Sequence, residues 1–183
     1  MIDSQLRTSG INDPWVLARM AAVPREDFVP DAQRDFAYMD RAVPVGDGEY
    51  LAAPVVHGMM LTESAPRRDD RVLVVESGTG YLAELLRPLV ESLETRSADE
   101  IAGSKSARKT FSLILVDGAI EELGDGLAKR LEEGGRIVTG LNQRSVTRLA
   151  VGRKIAGSVT LQPVADIGIP VLRAFAKAKS WSF

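Results

Sequence analysis

The spacing of apolar residues changes character twice along the chain, which divides it into a helical opening, an alternating middle and a hairpin close. In the opening, Val16, Leu17 and Met20 fall on one helical face behind Asp13 as N-cap and Pro14 at the first helical position. That pattern predicts a helix over 13–23, which Pro24 ends. The Pro- and Gly-rich stretch from Pro44 to Gly48 reads as loop, and 53–63 reads as a second helix with Pro54 tolerated at its start. The middle opens on Arg-Val-Leu-Val-Val at 71–75, a β-branched run behind a charged turn, and predicts a strand buried on both faces. Glu76, Ser77, Gly78, Thr79 and Gly80 follow, then a helical pattern from Tyr81 through Leu85 and Leu86. A weaker strand over 90–94 ends in Glu94, and 98–109 can form one crossover helix. Residues 111–116 make a strong buried strand that stops at Asp117-Gly118. A helix is expected over 123–133 with Gly134-Gly135 as its stop, then a strand over 136–139. Residues 146–155 and 159–164, around Ala156-Gly157-Ser158, read as an antiparallel hairpin.

Alternating strands and helices predict an α/β fold: a doubly wound, mostly parallel, Rossmann-like sheet closed by the antiparallel pair. The chain's 183 residues fit one domain, with 1–66 as a helical extension and 67–183 as the core. Hydrophobic residues at 45% and charged residues at 26% supply a core and rule out disorder. The net charge of -2 leaves no global basic field for nucleic acid. Seven Lys or Arg against one acid do fall in 141–183, a pattern expected of a solvated surface. The absence of cysteine excludes disulfides and a thiolate nucleophile, and a lone histidine, His57, argues against a metal site. Met1 to Arg7 has no apolar run for a signal peptide, and the longest uncharged stretch, Tyr50 to Thr62, is too short to span a bilayer. A cytoplasmic protein with no membrane partner is expected.

Ligands of doubly wound sheets sit outside the carboxyl ends of the strands. The candidate site is therefore Glu76, Ser77, Gly78, Thr79 and Gly80, with Glu94, Asp117 and Gly118. Gly78-Thr79-Gly80 offers close backbone approach and free N–H groups at a helix start, and it equally fits a tight structural turn. Glu76 stands where a full glycine fingerprint has its first glycine, and its carboxylate would repel a pyrophosphate. Glu94, 16 residues beyond Gly78, is near the spacing of an acid that holds ribose hydroxyls, or is an exposed loop acid. Asp117-Gly118 could touch a ligand or form an ordinary turn. Together these positions point to adenosine without phosphates, S-adenosylmethionine more readily than NAD or ATP. His57, among Ala53, Val56 and Met60, reads as a packing residue, and Asp40-Arg41 as an ion pair stapling a loop.

At these residues the chain resembles the protein-L-isoaspartate O-methyltransferases, in particular their short bacterial branch. The resemblance rests on Asp3-Ser4-Gln5-Leu6-Arg7, on Val23-Pro24-Arg25 with Phe28-Val29-Pro30, and on the run from Ala37 to Gly46. Gly78-Thr79-Gly80-Tyr81, Gly134-Gly135-Arg136 and Pro170-Val171-Leu172 continue it. It implies methyl transfer from S-adenosylmethionine to the abnormal carboxylate of isoaspartyl residues in damaged proteins, as a repair reaction. It also implies substrate contacts at Ala52, Ala53, Pro54 and His57, with Ala52 where the family has a serine. The chain departs from the family at Glu76 and between Glu94 and Phe111. Those two are separated by 16 residues, room for one crossover but not for the family's helix, strand and helix. An edge strand is therefore expected to be missing. These departures, with Ala52, point to a second reading: a catalytically silent homologue acting as a binding or structural module, with a homo-oligomer as one way to cover the trimmed edge.

Overall fold

The computed structural model describes residues 1–76, 78–104 and 106–177. The chain opens on two short helical turns, Ile2–Leu6 and Arg7–Ser9, and then helix α1 (Pro14–Ala22), which buries Val16, Leu17 and Met20. Asp13 precedes it in extended conformation and Pro14 starts it, as the sequence suggests, although the Asp13 carboxylate accepts from the Thr62 hydroxyl and not from the helix. The expected loop at Pro44 to Gly48 is instead a small antiparallel hairpin, β1 (Val43–Gly46) and β2 (Glu49–Leu51), turning through Asp47 and Gly48, both at positive φ. Helix α2 (Pro54–Ser64) follows, with both ends within one residue of the expected range.

The core sheet runs in the order β4-β3-β5-β6-β7-β8. Its strands are β3 (Arg71–Glu76), β4 (Ser92–Ser97), β5 (Phe111–Ile120), β6 (Leu131–Gln143), β7 (Val146–Ile155) and β8 (Ser158–Asp166). The first four pair in parallel, while β7 and β8 close the far side antiparallel. Among the described residues β4 pairs only with β3, so the sheet ends there, where the sequence implied a missing strand. Alternation along β3 sends Val72 and Val74 to a face covered by α1, α2 and α3 (Tyr81–Leu86), and Leu73 and Val75 to the other. That second face is covered by two very short helices, α4 (Ala98–Ala102) and α5 (Asp125–Ala128), and the turn Arg173–Phe175. Each fully buried Val or Leu in these layers contributes roughly 1.5 to 3 kcal/mol of hydrophobic stabilisation. No helix among the described residues is long and apolar enough to cross a membrane.

Several elements differ from their sequence pattern. The helix expected over 98–109 stops at Ala102, because Ile101 is its last buried residue and Gly103 follows as C-cap. The helix expected over 123–133 is the single turn α5, because Leu131 is already paired with Phe111 at the start of β6. Gly134-Gly135 therefore lies inside a strand. The weak strand over 90–94 is shifted to Ser92–Ser97. The strand expected to stop at Val116 runs on to Ile120 through an irregularity between Val116 and Ala119, so Asp117 and Gly118 form a kink within it and not a turn after it.

At the amino ends of the strands, Asp70, 3% exposed, accepts from Arg136 Nη1 at 3.0 Å and Nη2 at 2.6 Å, from Ser112 Oγ at 2.7 Å and from the Arg67 N–H at 2.6 Å. Burial raises the carboxyl's pKa, and these donors outweigh it and leave it below the ordinary aspartate value. The folded state thus binds this proton less readily than the unfolded one, so the contribution is complete above about pH 4 and is lost as pH falls through the lower folded value. In urea titrations across pH, Asp70→Asn is expected to be less stable than the parent at neutral pH, with the gap narrowing below about pH 4. A gap independent of pH would refute this account.

Candidate functional site

The N-terminal extension is fastened to the core by a buried chain of polar groups. Arg25 is fully buried and donates from Nε to the Ala37 carbonyl at 2.8 Å, from Nη2 to the Ala52 carbonyl at 2.6 Å and from Nη1 to His57 Nδ1 at 3.1 Å. A guanidinium can only donate, so His57 Nδ1 accepts, its proton lies on Nε2, and Nε2 donates to Asp117 Oδ1 at 3.1 Å. The kink at Asp117-Gly118 keeps Asp117 1% exposed in contact with the ring, while Gly118 packs against the Leu172 side chain. The Tyr81 ring completes the cluster, 4.7 Å beneath the Arg25 guanidinium and edge-on to His57 at 5.0 Å. Burial pulls the Arg25 pKa down, with Tyr81 and Asp117 opposing it. His57 is thus a packing residue, as the sequence suggested, and also the link between two buried charges.

Beside this cluster lies the glycine turn. Gly78 and Gly80 adopt φ of +90° and +74°, which favours glycine, and the Thr79 hydroxyl accepts from the Tyr81 N–H at 3.3 Å. Ser77 lies outside the described residues. Glu76 folds back so that one carboxylate oxygen accepts from the Gly80 N–H at 2.9 Å, while the other is buried without a partner among the described residues. Burial and the nearby Asp117 charge raise its pKa to about 7. The Glu49 carboxylate lies against Gly78, where a Cβ would collide with it. Four acids, Asp47, Glu49, Glu76 and Asp99, and one cation, Arg173, line the hollow of about 170 Å³ in front of the turn. Ligand pockets are more often about 300 to 1,000 Å³.

A groove of about 810 Å³ lies next to the hollow, between α2 and the last strands, and is lined in part by Ala53, Val55 and Met59. Tyr50, Pro170 and Val171 line both spaces. Of the substrate residues implied by resemblance, Ala53 lines the groove, Ala52 is buried in the core, Pro54 opens α2 and His57 is enclosed. Arg41, expected to pair with Asp40, sits with its guanidinium 5.7 Å from the Phe36 ring centroid.

The structure brings Glu76, Gly78, Gly80, Asp117 and His57 together. Glu94 is not among them: β4 continues to Ser97, which is level with Glu76, so Glu94 falls three residues short of the strand end and is held by Lys109 at 2.5 Å and Arg96 at 3.0 Å. Sequence reasoning missed Glu49, Arg173 and the role of Arg25. Arg25 stood in a recognised motif, but only its complete burial assigns its task.

The comparisons with known proteins follow the same outline. The model of the protein-L-isoaspartate(D-aspartate) O-methyltransferase family matches residues 1–94. A protein-L-isoaspartate O-methyltransferase of Koribacter versatilis is 34% identical, over 86% of this chain and 82% of that protein. The chain belongs to this family. A protein-L-isoaspartate O-methyltransferase 2 of an Anaeromyxobacter species is 36% identical, over 75% of this chain and 67% of the relative. Among solved structures, a member of the family from Plasmodium falciparum in complex with S-adenosyl-L-homocysteine superposes with a TM-score of 0.75 at 17% identity, covering 92% of this chain and 95% of that one, and so shares the fold. The family match ends at Glu94, within β4 and three residues before the short crossover begins.

If the Arg25–His57–Asp117 chain is a coupled unit, Arg25→Met or Asp117→Asn alone should cost about 3 to 5 kcal/mol in denaturant titrations, since each strands a buried charge. The double variant should cost clearly less than the sum. Additive costs below about 1 kcal/mol each would show that the groups are not coupled.

Proposed function

We propose that this chain transfers a methyl group from S-adenosylmethionine to isoaspartyl carboxylates of damaged proteins, with the peptide in the groove and the cofactor at the glycine turn. Beyond family membership, one observation carries the reading: groove and hollow share the wall formed by Tyr50, Pro170 and Val171, so an acceptor in one can reach a donor in the other. The chemistry of the hollow suits the cofactor. The unpartnered buried oxygen of Glu76 needs a donor or a cation, and the surrounding acids favour a positively charged group over a phosphate. Its size suits only part of the cofactor, so the reading requires Glu49 to leave Gly78 when adenosine enters.

S-adenosylmethionine would supply the electrophilic methyl on a sulfonium. An isoaspartyl carboxylate has an ordinary pKa near 4 and is ionised at neutral pH, so no residue here has to remove a proton. The protein's task is to align the two groups and exclude water, and alignment alone can contribute roughly 7 to 11 kcal/mol. Glu76 would hold the cationic end of the cofactor once Glu49 has moved aside, Gly78 and Gly80 would admit it to the backbone, and Arg173 would draw the acceptor carboxylate inward. Ala52 supplies no hydroxyl, so positioning falls to Arg173 and the groove walls.

Calorimetry with S-adenosylmethionine and S-adenosylhomocysteine, and methyl transfer to an isoaspartyl peptide, test the reading. Affinity for the sulfonium is expected to rise from about pH 6 to about pH 8 as Glu76 ionises, with Glu76→Gln flattening the rise and the uncharged thioether changing less. Glu49→Ala is expected to tighten homocysteine-analogue binding, and Arg173→Gln to lower kcat/KM for the peptide about tenfold with cofactor affinity unchanged. No heat with either cofactor and no transferred label would overturn the reading and leave a silent member of the family.

A further inference from the structure

The short crossover between β4 and β5 leaves a cavity of about 350 Å³ on the second face of the sheet, away from the glycine turn. Its floor is apolar, formed by Leu73 and Phe111, and its walls carry Arg96, Arg108, Lys109 and Arg130 against a single acid, Glu94. Four cations and one carboxylate leave an excess of three positive charges, in a protein whose net charge is -2. A cavity with low-dielectric walls concentrates such a field.

The cations are partly fixed in place. Arg130 donates from Nη1 to the Gly126 carbonyl at 2.6 Å and from Nη2 to Ser104 Oγ at 3.0 Å, which sets the plane of its guanidinium. The Gly126 position is itself set by α4, since any Cβ there would strike the Ile101 carbonyl. Glu94 holds Arg96 and Lys109 on one wall, and hydrogen bonding by Lys109 keeps its pKa low, so it stays ionised. Arg108 meets no carboxylate among the described residues. An arginine fixed in plane, a second arginine that meets no carboxylate among the described residues and a lysine paired with Glu94 suit an oxyanion with several charged oxygens in a row.

We propose that this cavity binds a pyrophosphate group, free or carried by a nucleoside diphosphate, at a site separate from the methyl-transfer site. A pyrophosphate carries close to the three negative charges that the walls leave uncompensated, and a single carboxylate or sulfate does not.

Titration of the whole chain with pyrophosphate, with ADP and with sulfate, read by calorimetry and thermal shift at low and moderate salt, tests the site. Pyrophosphate is expected to bind at least about tenfold more tightly than sulfate, and more weakly as salt rises. Arg108→Gln removes an exposed side chain, so it should fold normally and lose about tenfold in affinity. Arg130→Gln should lose more, and Glu94→Gln should bind more tightly because it removes the one repelling charge. ADP binding more tightly than pyrophosphate would support the site and identify a nucleoside as the carrier, and equal affinity would support it with free pyrophosphate. No heat and no shift with millimolar pyrophosphate, an equal response to sulfate, or unchanged affinity in Arg108→Gln and Glu94→Gln would overturn it.

Discussion

The charge on Arg25 is shut off from solvent, and much of the structure follows from how it is satisfied. Arg25 is wholly buried, so its guanidinium must be met on every side by acceptors, and those come from four parts of the chain: the Ala37 carbonyl, the Ala52 carbonyl, the His57 ring and, through that ring, Asp117. A buried charge that loses its partner is far more costly than a broken surface ion pair. The hairpin β1–β2, the start of α2 and the kink in β5 are therefore held in a fixed mutual arrangement. The groove and the hollow lie between those same elements, so the geometry offered to a ligand depends on a network whose members line neither space.

The second constraint is the short connection after Glu94. It removes covering structure from one face of the sheet, which retains two helices of five and four residues there, while the other face keeps α1, α2 and α3. The two faces differ accordingly. The covered side carries the Arg25, His57 and Asp117 cluster, and the thin side carries basic side chains around an apolar floor.

Much of the fold was legible because strands buried on both faces leave unbroken apolar runs, as in Arg71–Glu76, and because Pro14 and Pro54 mark helix starts. The two misread helices failed for a tertiary reason. Residues 98–109 and 123–133 contain good helix formers, but Gly103 and the pairing of Leu131 with Phe111 cut them short, and local propensity yields to pairing of that kind. In the candidate site, the glycine turn was legible from its local pattern, whereas the Arg25, His57 and Asp117 contacts span 32 and 60 residues and leave no periodic trace. The sequence alone puts Glu94 at a strand end because an acid after an apolar run resembles one, and only the register with Glu76 locates that end at Ser97.

The strand that closes the sheet at its trimmed side presents backbone N–H and C=O groups with no further strand among the described residues to take them, the kind of boundary along which β-sheets stick to one another. Here that boundary is Ser-Leu-Glu-Thr-Arg-Ser, with a cross-linked pair of opposite charges in its middle. Any chain that zipped onto it would have to strip water from Glu94 and Arg96. The thinly covered side of the sheet thus ends in a charged margin that discourages self-adhesion.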